Sequence, residues 1–169
     1  TLLLSAAQWS KMMKAPETNE KYLLVYDLNG GVRMLDIARK VAAEKGLKIY
    51  CITRHPDISF IYKGIDKVIY DAGPREFVGY FSKALYVITD SFHGTAFSLI
   101  FRSNFNTYIA VPKSSQRIKS LLTVCGLSRR IITDGTGIDM SDNCLQQFNE
   151  PSFNAYRQSS IDYITNIFK

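Results

Sequence analysis

LYVITDSFHGTAFSLIFR, residues 85–102, decides the fold. LYVITD is a short run of β-branched and aromatic residues with no polar alternation, the pattern of a strand covered on both faces. FHGTAFSLIFR follows without a proline and carries apolar residues through three helical turns, and Ser91 stands where a helix takes its N-cap. A strand running straight into a helix is half of a parallel βαβ unit. The polar cluster Asp90, Ser91 and His93 falls at the junction, inside an otherwise apolar run.

The same rhythm extends outward in both directions. KYLLVYDLN (21–29) predicts a strand ended by Asn-Gly-Gly, and VRMLDIARKVAAEKG (32–46) predicts a helix stopped by Gly46. LKIYCIT (47–53) is a second strand closed by the proline-containing RHPDIS, and KVIYD (67–71) a third. AGPREFVGYFSKA (72–84) has Pro74 where a first helical turn accepts it. Beyond residue 102, FNTYIAV (105–111) predicts a strand, SQRIKSLLTVCG (115–126) a helix, RRIIT (129–133) a short last strand, and 151–169 a closing helix. The expected fold is α/β: a doubly wound, mostly parallel Rossmann-like sheet with helices on both faces. SAAQWSKMMK (5–14) predicts a short helix capped by Ser5, joined by the polar linker APETNEK. Residues 1–20 are therefore expected to lead in from a preceding domain, and 21–169 to form the Rossmann-like domain itself.

Composition narrows the function classes. The net charge of +6 favours an anionic partner, but the basic residues are scattered and the loose group Lys113, Arg117, Lys119, Arg129 and Arg130 is no nucleic-acid groove. No nucleic-acid partner is expected. Cys51, Cys125 and Cys144 are odd in number and lack CxxC spacing, which argues against both a disulfide framework and a zinc site. No apolar run approaches the ~20 residues that span a bilayer, and TLLLSAA lacks the basic flank of a signal peptide, so a cytoplasmic protein is expected. Its first residue is Thr, consistent with a piece of a longer chain.

In an open parallel sheet ligands bind beyond the carboxyl ends of the strands, where strand order reverses. Asp90, Ser91, His93 and Gly94 lie at such an end and open a helix, whose free N–H groups and dipole favour an anion. Two readings stay open on spacing alone: an anion site, or an ordinary capped helix start. DLNGG (27–31) lacks the GxGxxG spacing of a dinucleotide fingerprint, which disfavours NAD and leaves a strand-to-helix turn. His55 sits in a polar loop. Arg75 opens a helix on the same edge, as an exposed residue or as an added cation. Ser115 and Arg117 open the helix after the fifth strand, and a cation in a first turn is unfavourable there unless an anion neutralises it. Asp134, Gly135 and Asp139 in TDGTGID lack EF-hand spacing and read as a turn; no metal is expected.

TDSFHGTAFSLIF (89–101), preceded by GPREFVGYFSKALYVI (73–88) and followed by RIKSLLTVCGLSRR (117–130), resembles the C-terminal half of the polysaccharide pyruvyltransferase family. The likeness runs from TLLLSAAQW (1–9) to the final helix. It implies a two-domain enzyme of glycosyltransferase-B type architecture, with this chain as the second domain and the N-terminal domain as its partner. The implied reaction moves pyruvate from phosphoenolpyruvate onto two sugar hydroxyls as a cyclic ketal, in the biosynthesis of cell-surface polysaccharide. The acceptor would be a sugar or a lipid-linked oligosaccharide, with no cofactor beyond the donor substrate.

By motif, His93 takes the place of the family's active-site histidine and Arg117 that of a basic residue near the donor. Arg75 departs from the family pattern. The expected site is thus His93 as acid/base, Asp90 orienting it or the sugar, and Ser91, Gly94, Thr95, Arg117 and Ser115 holding the donor's anions. Work on a lipid-linked acceptor implies the cytoplasm with peripheral association at the inner face of the membrane. The isolated chain is expected to fold without being active, because a cleft needs both walls. A nucleotide-sugar glycosyltransferase of the same architecture, or a non-catalytic binding module, are the competing readings.

Overall fold

A computed structural model describes residues 1–110, 115–134, 137–141 and 146–167. Six strands, β1 (Tyr22–Asp27), β2 (Lys48–Thr53), β3 (Lys67–Ile69), β4 (Tyr86–Thr89), β5 (Asn104–Tyr108) and β6 (Ile131–Ile132), form one sheet in the order 3-2-1-4-5-6. Every adjacent pair is parallel. The helices are α1 (Ala6–Met12), α2 (Val32–Lys45), α3 (Pro74–Lys83), α4 (Phe92–Ile100), α5 (Gln116–Val124) and α6 (Glu150–Ile167). This is the expected doubly wound α/β fold. The predicted last strand, RRIIT, is shorter than expected: Ser128–Arg130 form a 3-10 turn and only Ile131 and Ile132 pair with β5.

Alternation along the central strands sorts residues between two layers. Tyr22 and Leu24 of β1 and Val87 of β4 pack with α3, α4 and α5, whereas Leu23 and Val25, with Ile88, pack against α2. All of these side chains are at most 1% exposed, and burying each aliphatic one contributes about 1.5–3 kcal/mol. That two-sided burial is why the strands read as continuous apolar runs. α4 is the exception among the helices, since Gly94 through Ile100 are all buried. It is covered on its outer side as well, where Trp9 of α1 meets Phe97 edge-on at 5.1 Å between ring centroids. Its hydroxyl residues are satisfied within the helix; Ser98 Oγ donates to the Gly94 carbonyl at 2.8 Å.

The lead-in helix is held from several sides. Ser5 and Gln8 form the capping box that starts α1, with Ser5 N donating to Gln8 Oε1 at 2.8 Å and Gln8 N to Ser5 Oγ at 3.3 Å. Its exit lies so close to α3 that a side chain at Gly79 would run into the Lys14 carbonyl. Arg157 of α6 donates to the carbonyls of Leu2 and Leu3 at 2.7 and 2.9 Å. The lead-in therefore packs outside the α3–α4 layer, as part of the folded unit.

Strand order places the reversal between β1 and β4. Register sets the ends level: Tyr26 pairs with Thr89, and Thr89 with Thr107. Asp27, Asp90 and Tyr108 are thus neighbours at the carboxyl edge, although 27 and 90 are far apart in the chain.

Candidate functional site

Two carboxylates stand at this edge and do different work. Asp27 is fully buried and accepts hydrogen bonds from Gly30 N at 2.8 Å, Gly31 N at 3.4 Å and the Tyr62 hydroxyl at 2.8 Å. The N–H groups before α2 are therefore taken by the protein's own carboxylate. DLNGG is a turn closed on Asp27, which agrees with its lack of a phosphate-binding fingerprint.

Asp90 reaches across the reversal instead. Its carboxylate accepts from Leu28 N at 3.0 Å, from Asn29 N at 3.1 Å and from Asn29 Nδ2. The Leu28 carbonyl is in turn bonded to His55 Nε2 at 2.6 Å, and since a carbonyl only accepts, Nε2 carries the proton. His55 thus belongs to the rim of the site rather than to a solvated loop. Burial pushes the Asp90 carboxyl above its ordinary value, against the N–H bonds that pull it down. The native state then holds this proton more tightly than the unfolded chain. Asp90's contribution to stability is full below the ordinary aspartate value near 3.8 and is lost as pH rises through the raised value. A carboxyl-carbon NMR titration is expected to give Asp90 a midpoint above 3.8; a midpoint at or below that value contradicts the burial argument.

The start of α4 forms the next wall. Ser91 is buried, and its Oγ accepts from His93 N at 3.2 Å, which is the predicted N-cap. His93 is exposed, with its ring 6.0 Å from that of Phe92, and the Arg117 guanidinium lies 5.2 Å from the Phe92 ring centroid. The first turns of α4 and α5 therefore converge on one aromatic ring, bringing Arg117 beside the histidine turn. Between the strand ends and α5 lies a cleft of about 190 Å³ lined by Asn29, Asp90, Tyr108, Ile109, Ser115 and Ile118. A larger hollow of about 470 Å³, walled by Lys45, Leu85 and Asn104, sits at the opposite, amino edge of the sheet, away from this constellation.

Several expected site residues are placed otherwise. A side chain at Gly94 would collide with Thr89, so this glycine serves the close approach of α4 to β4 and not the approach of a ligand. Thr95 is fully buried; its N–H and hydroxyl both donate to the Ser91 carbonyl, at 3.0 and 2.9 Å, and the hydroxyl also meets Thr107 Oγ1 at 2.9 Å. That removes Thr95 from the expected anion-binding set. Arg75 Nε donates to the Met12 carbonyl at 2.9 Å, which fastens the lead-in helix to α3 and gives this cation a structural task. No hydrogen bond joins Asp90 to His93, because the loop at Leu28–Asn29 holds the Asp90 carboxylate on the cleft wall.

The TDGTGID loop is occupied by ion pairs. Asp134 lies 2.9 Å from Arg33 Nε and accepts from the Tyr108 hydroxyl at 2.6 Å, while Asp139 pairs with Arg129 at 2.9 Å. Among the described residues no group of three or more metal-ligating side chains comes together. Gly135, Lys113, Ser114 and Cys144 lie outside the described residues. Cys51 and Cys125 are buried free thiols, and burial pushes both above the usual thiol range, Cys125 to about 12.

Asn29 and Tyr108 escape notice in the sequence because neither stands in the histidine motif; only the strand order brings them to Asp90. No curated protein matches the chain. A family model described as polysaccharide pyruvyl transferase matches residues 1–105, which take in the lead-in helix, both aspartate turns and all of α4. That match covers more than half of the chain's 169 residues and includes the strand-to-helix junction at Asp90–His93, and the chain belongs to the polysaccharide pyruvyl transferase family.

Proposed function

We propose that the protein transfers pyruvate from phosphoenolpyruvate to two hydroxyls of a sugar, as the second domain of a glycosyltransferase-B type enzyme, with the donor held at the joined N-termini of α4 and α5. The observation that carries this reading is the meeting of two helix starts at the topological reversal, where α4 opens with an exposed histidine and Arg117 of α5 lies beside it. An anionic donor is favoured there by the helix dipole and the guanidinium.

In the proposed reaction one sugar hydroxyl oxygen bonds to C2 of the enol, while C3 gains a proton and becomes a methyl group. The second hydroxyl then bonds to C2 as the C2–O bond to phosphate breaks, giving the cyclic ketal and inorganic phosphate. His93 is the group to carry protons between hydroxyl and C3, since imidazole exchanges protons near neutral pH. Arg117 and the amides of the α4 turn, with Ser91 and Ser115, face phosphate and carboxylate. No cofactor or metal enters these steps. A sugar or lipid-linked oligosaccharide acceptor would be completed by a facing N-terminal domain, at the cytoplasmic face of the membrane; no described helix is long and apolar enough to cross one.

Calorimetric titration of the full-length enzyme is expected to show binding of phosphoenolpyruvate but not of nucleotide sugars, and phosphate release only when a sugar acceptor is added. Binding of a nucleotide sugar in place of phosphoenolpyruvate would establish the glycosyltransferase alternative.

A further inference from the structure

We propose that the wall formed by Asn29 and Asp90 is the subsite that receives a hydroxyl of the sugar acceptor, with Asn29 Oδ1 as the hydrogen-bond acceptor that selects it. This rests on the pyruvyl-transfer reading and goes beyond it, because it assigns the sugar acceptor to the Asn29–Asp90 wall of the cleft.

The orientation of the Asn29 amide follows from its partner. An ionised carboxylate only accepts hydrogen bonds, so the atom that Asn29 turns toward Asp90 is Nδ2. The backbone N–H of Asn29 is bound to the same carboxylate oxygen at 3.1 Å, and the Leu28 N–H to the other oxygen at 3.0 Å. Fixed at both its backbone and its side chain, Asn29 leaves Oδ1 as its remaining acceptor, and among the described residues nothing donates to it. Asn29 and Asp90 line the same cleft, whose remaining wall includes the apolar side chains of Ile109, Ala110 and Ile118.

Charge decides which substrate this wall tolerates. Phosphate and carboxylate oxygens carry no proton to give, and both a carboxylate and an amide oxygen repel them. A sugar hydroxyl donates a hydrogen bond, and an acceptor held in one orientation on the cleft wall selects it. The donor's anions are therefore disfavoured at this wall and the sugar acceptor is favoured there. Asn29 acts as a specificity-determining residue, held by Asp90 as a positioning residue.

The test is steady-state kinetics of the full-length enzyme with phosphoenolpyruvate and an acceptor found by screening simple galactosides, glucosides and mannosides. Asn29→Ala is expected to raise the acceptor KM about tenfold, with the phosphoenolpyruvate KM within about twofold of the unsubstituted value. Asn29→Asp places a second carboxylate against Asp90; its acceptor KM is expected to rise further and to fall again as pH is lowered, because the pair then shares a proton. A rise in the donor KM instead, or acceptor KM values unmoved in both variants, overturns the assignment while leaving pyruvyl transfer intact. Absence of any pyruvyl transfer by the unsubstituted enzyme, with the same assay reporting phosphate release from a control pyruvyltransferase, overturns the functional reading and this inference with it.

Discussion

Replacing His93 by Gln is expected to lower kcat for pyruvyl transfer by about 10²–10⁴, the usual contribution of a positioned acid/base group, with little change in melting temperature. The two halves of that expectation have separate causes. His93 is exposed, with its ring 6.0 Å from that of Phe92 between centroids, so removing the imidazole opens no buried cavity. Its backbone N–H, which donates to Ser91 Oγ at 3.2 Å and completes the cap of α4, is kept by any substituted residue. Gln retains hydrogen-bonding atoms but cannot exchange a proton near neutral pH. Kinetics under saturating donor, with circular dichroism as the control for folding, check it; turnover within a few fold of the unsubstituted enzyme would sink the acid/base role.

The largest loss of stability is expected at Arg130, far from the histidine. Arg130 is fully buried and donates to the carbonyls of Asp139 and Ser141, each at 2.8 Å, while its own backbone carbonyl accepts from Asn106 Nδ2 at 3.3 Å. Its Nε stands 4.0 Å from the Asp139 carboxylate, an attraction of charges without a hydrogen bond. Arg130 thus ties residues 139–141 to the β5–β6 side of the sheet, where the neighbouring Ile138 and Met140 pack on the α2-side core. Arg130→Met fills the volume but removes the guanidinium's hydrogen bonds to the Asp139 and Ser141 carbonyls and the buried cation facing the Asp139 carboxylate. A loss of about 3 kcal/mol is expected, or roughly 6–12 °C in melting temperature for a chain of this size. Urea and thermal unfolding measure it, and a loss below about 1 kcal/mol would show that water replaces the guanidinium.

The strand-to-helix junction that carries the candidate site was legible before the fold. The junction at 90–93 could be read because a buried strand and a buried helix have no reason to carry three polar residues between them, and the motif is specific to its family. Ser91 as N-cap follows from residue type alone. Thr95 and Gly94 misled for a common reason: small and hydroxylated residues in a first turn look the same whether they meet a ligand or a neighbouring strand. α4 is covered on every side, so Thr95 turns its hydroxyl to Ser91 and Thr107, and Gly94 exists to admit Thr89. Arg75 likewise reads as an available cation until the lead-in helix is seen lying against it.

What residues 1–169 determine by themselves is the alternation of strand and helix, the two-sided burial of the sheet, the helix stop at Gly46 and the helix start at Pro74, and the placing of Asp90, Ser91 and His93 where a strand becomes a helix. These are local properties, set by side-chain periodicity and by the conformations each residue permits. Tertiary structure alone decided which strand ends meet. Asp27 and Asp90 occupy equivalent places at the ends of two apolar strands, and the sequence does not say which carboxylate turns inward. Because β1 pairs with β4, Asp27 turns inward to bind the Gly30 and Gly31 N–H groups of its own turn while Asp90 spans the reversal to hold Asn29. A parallel sheet joins its strands by long crossovers, so neighbours in space are not neighbours in sequence, and the partner of a polar group at a strand end is set by the order of the whole sheet.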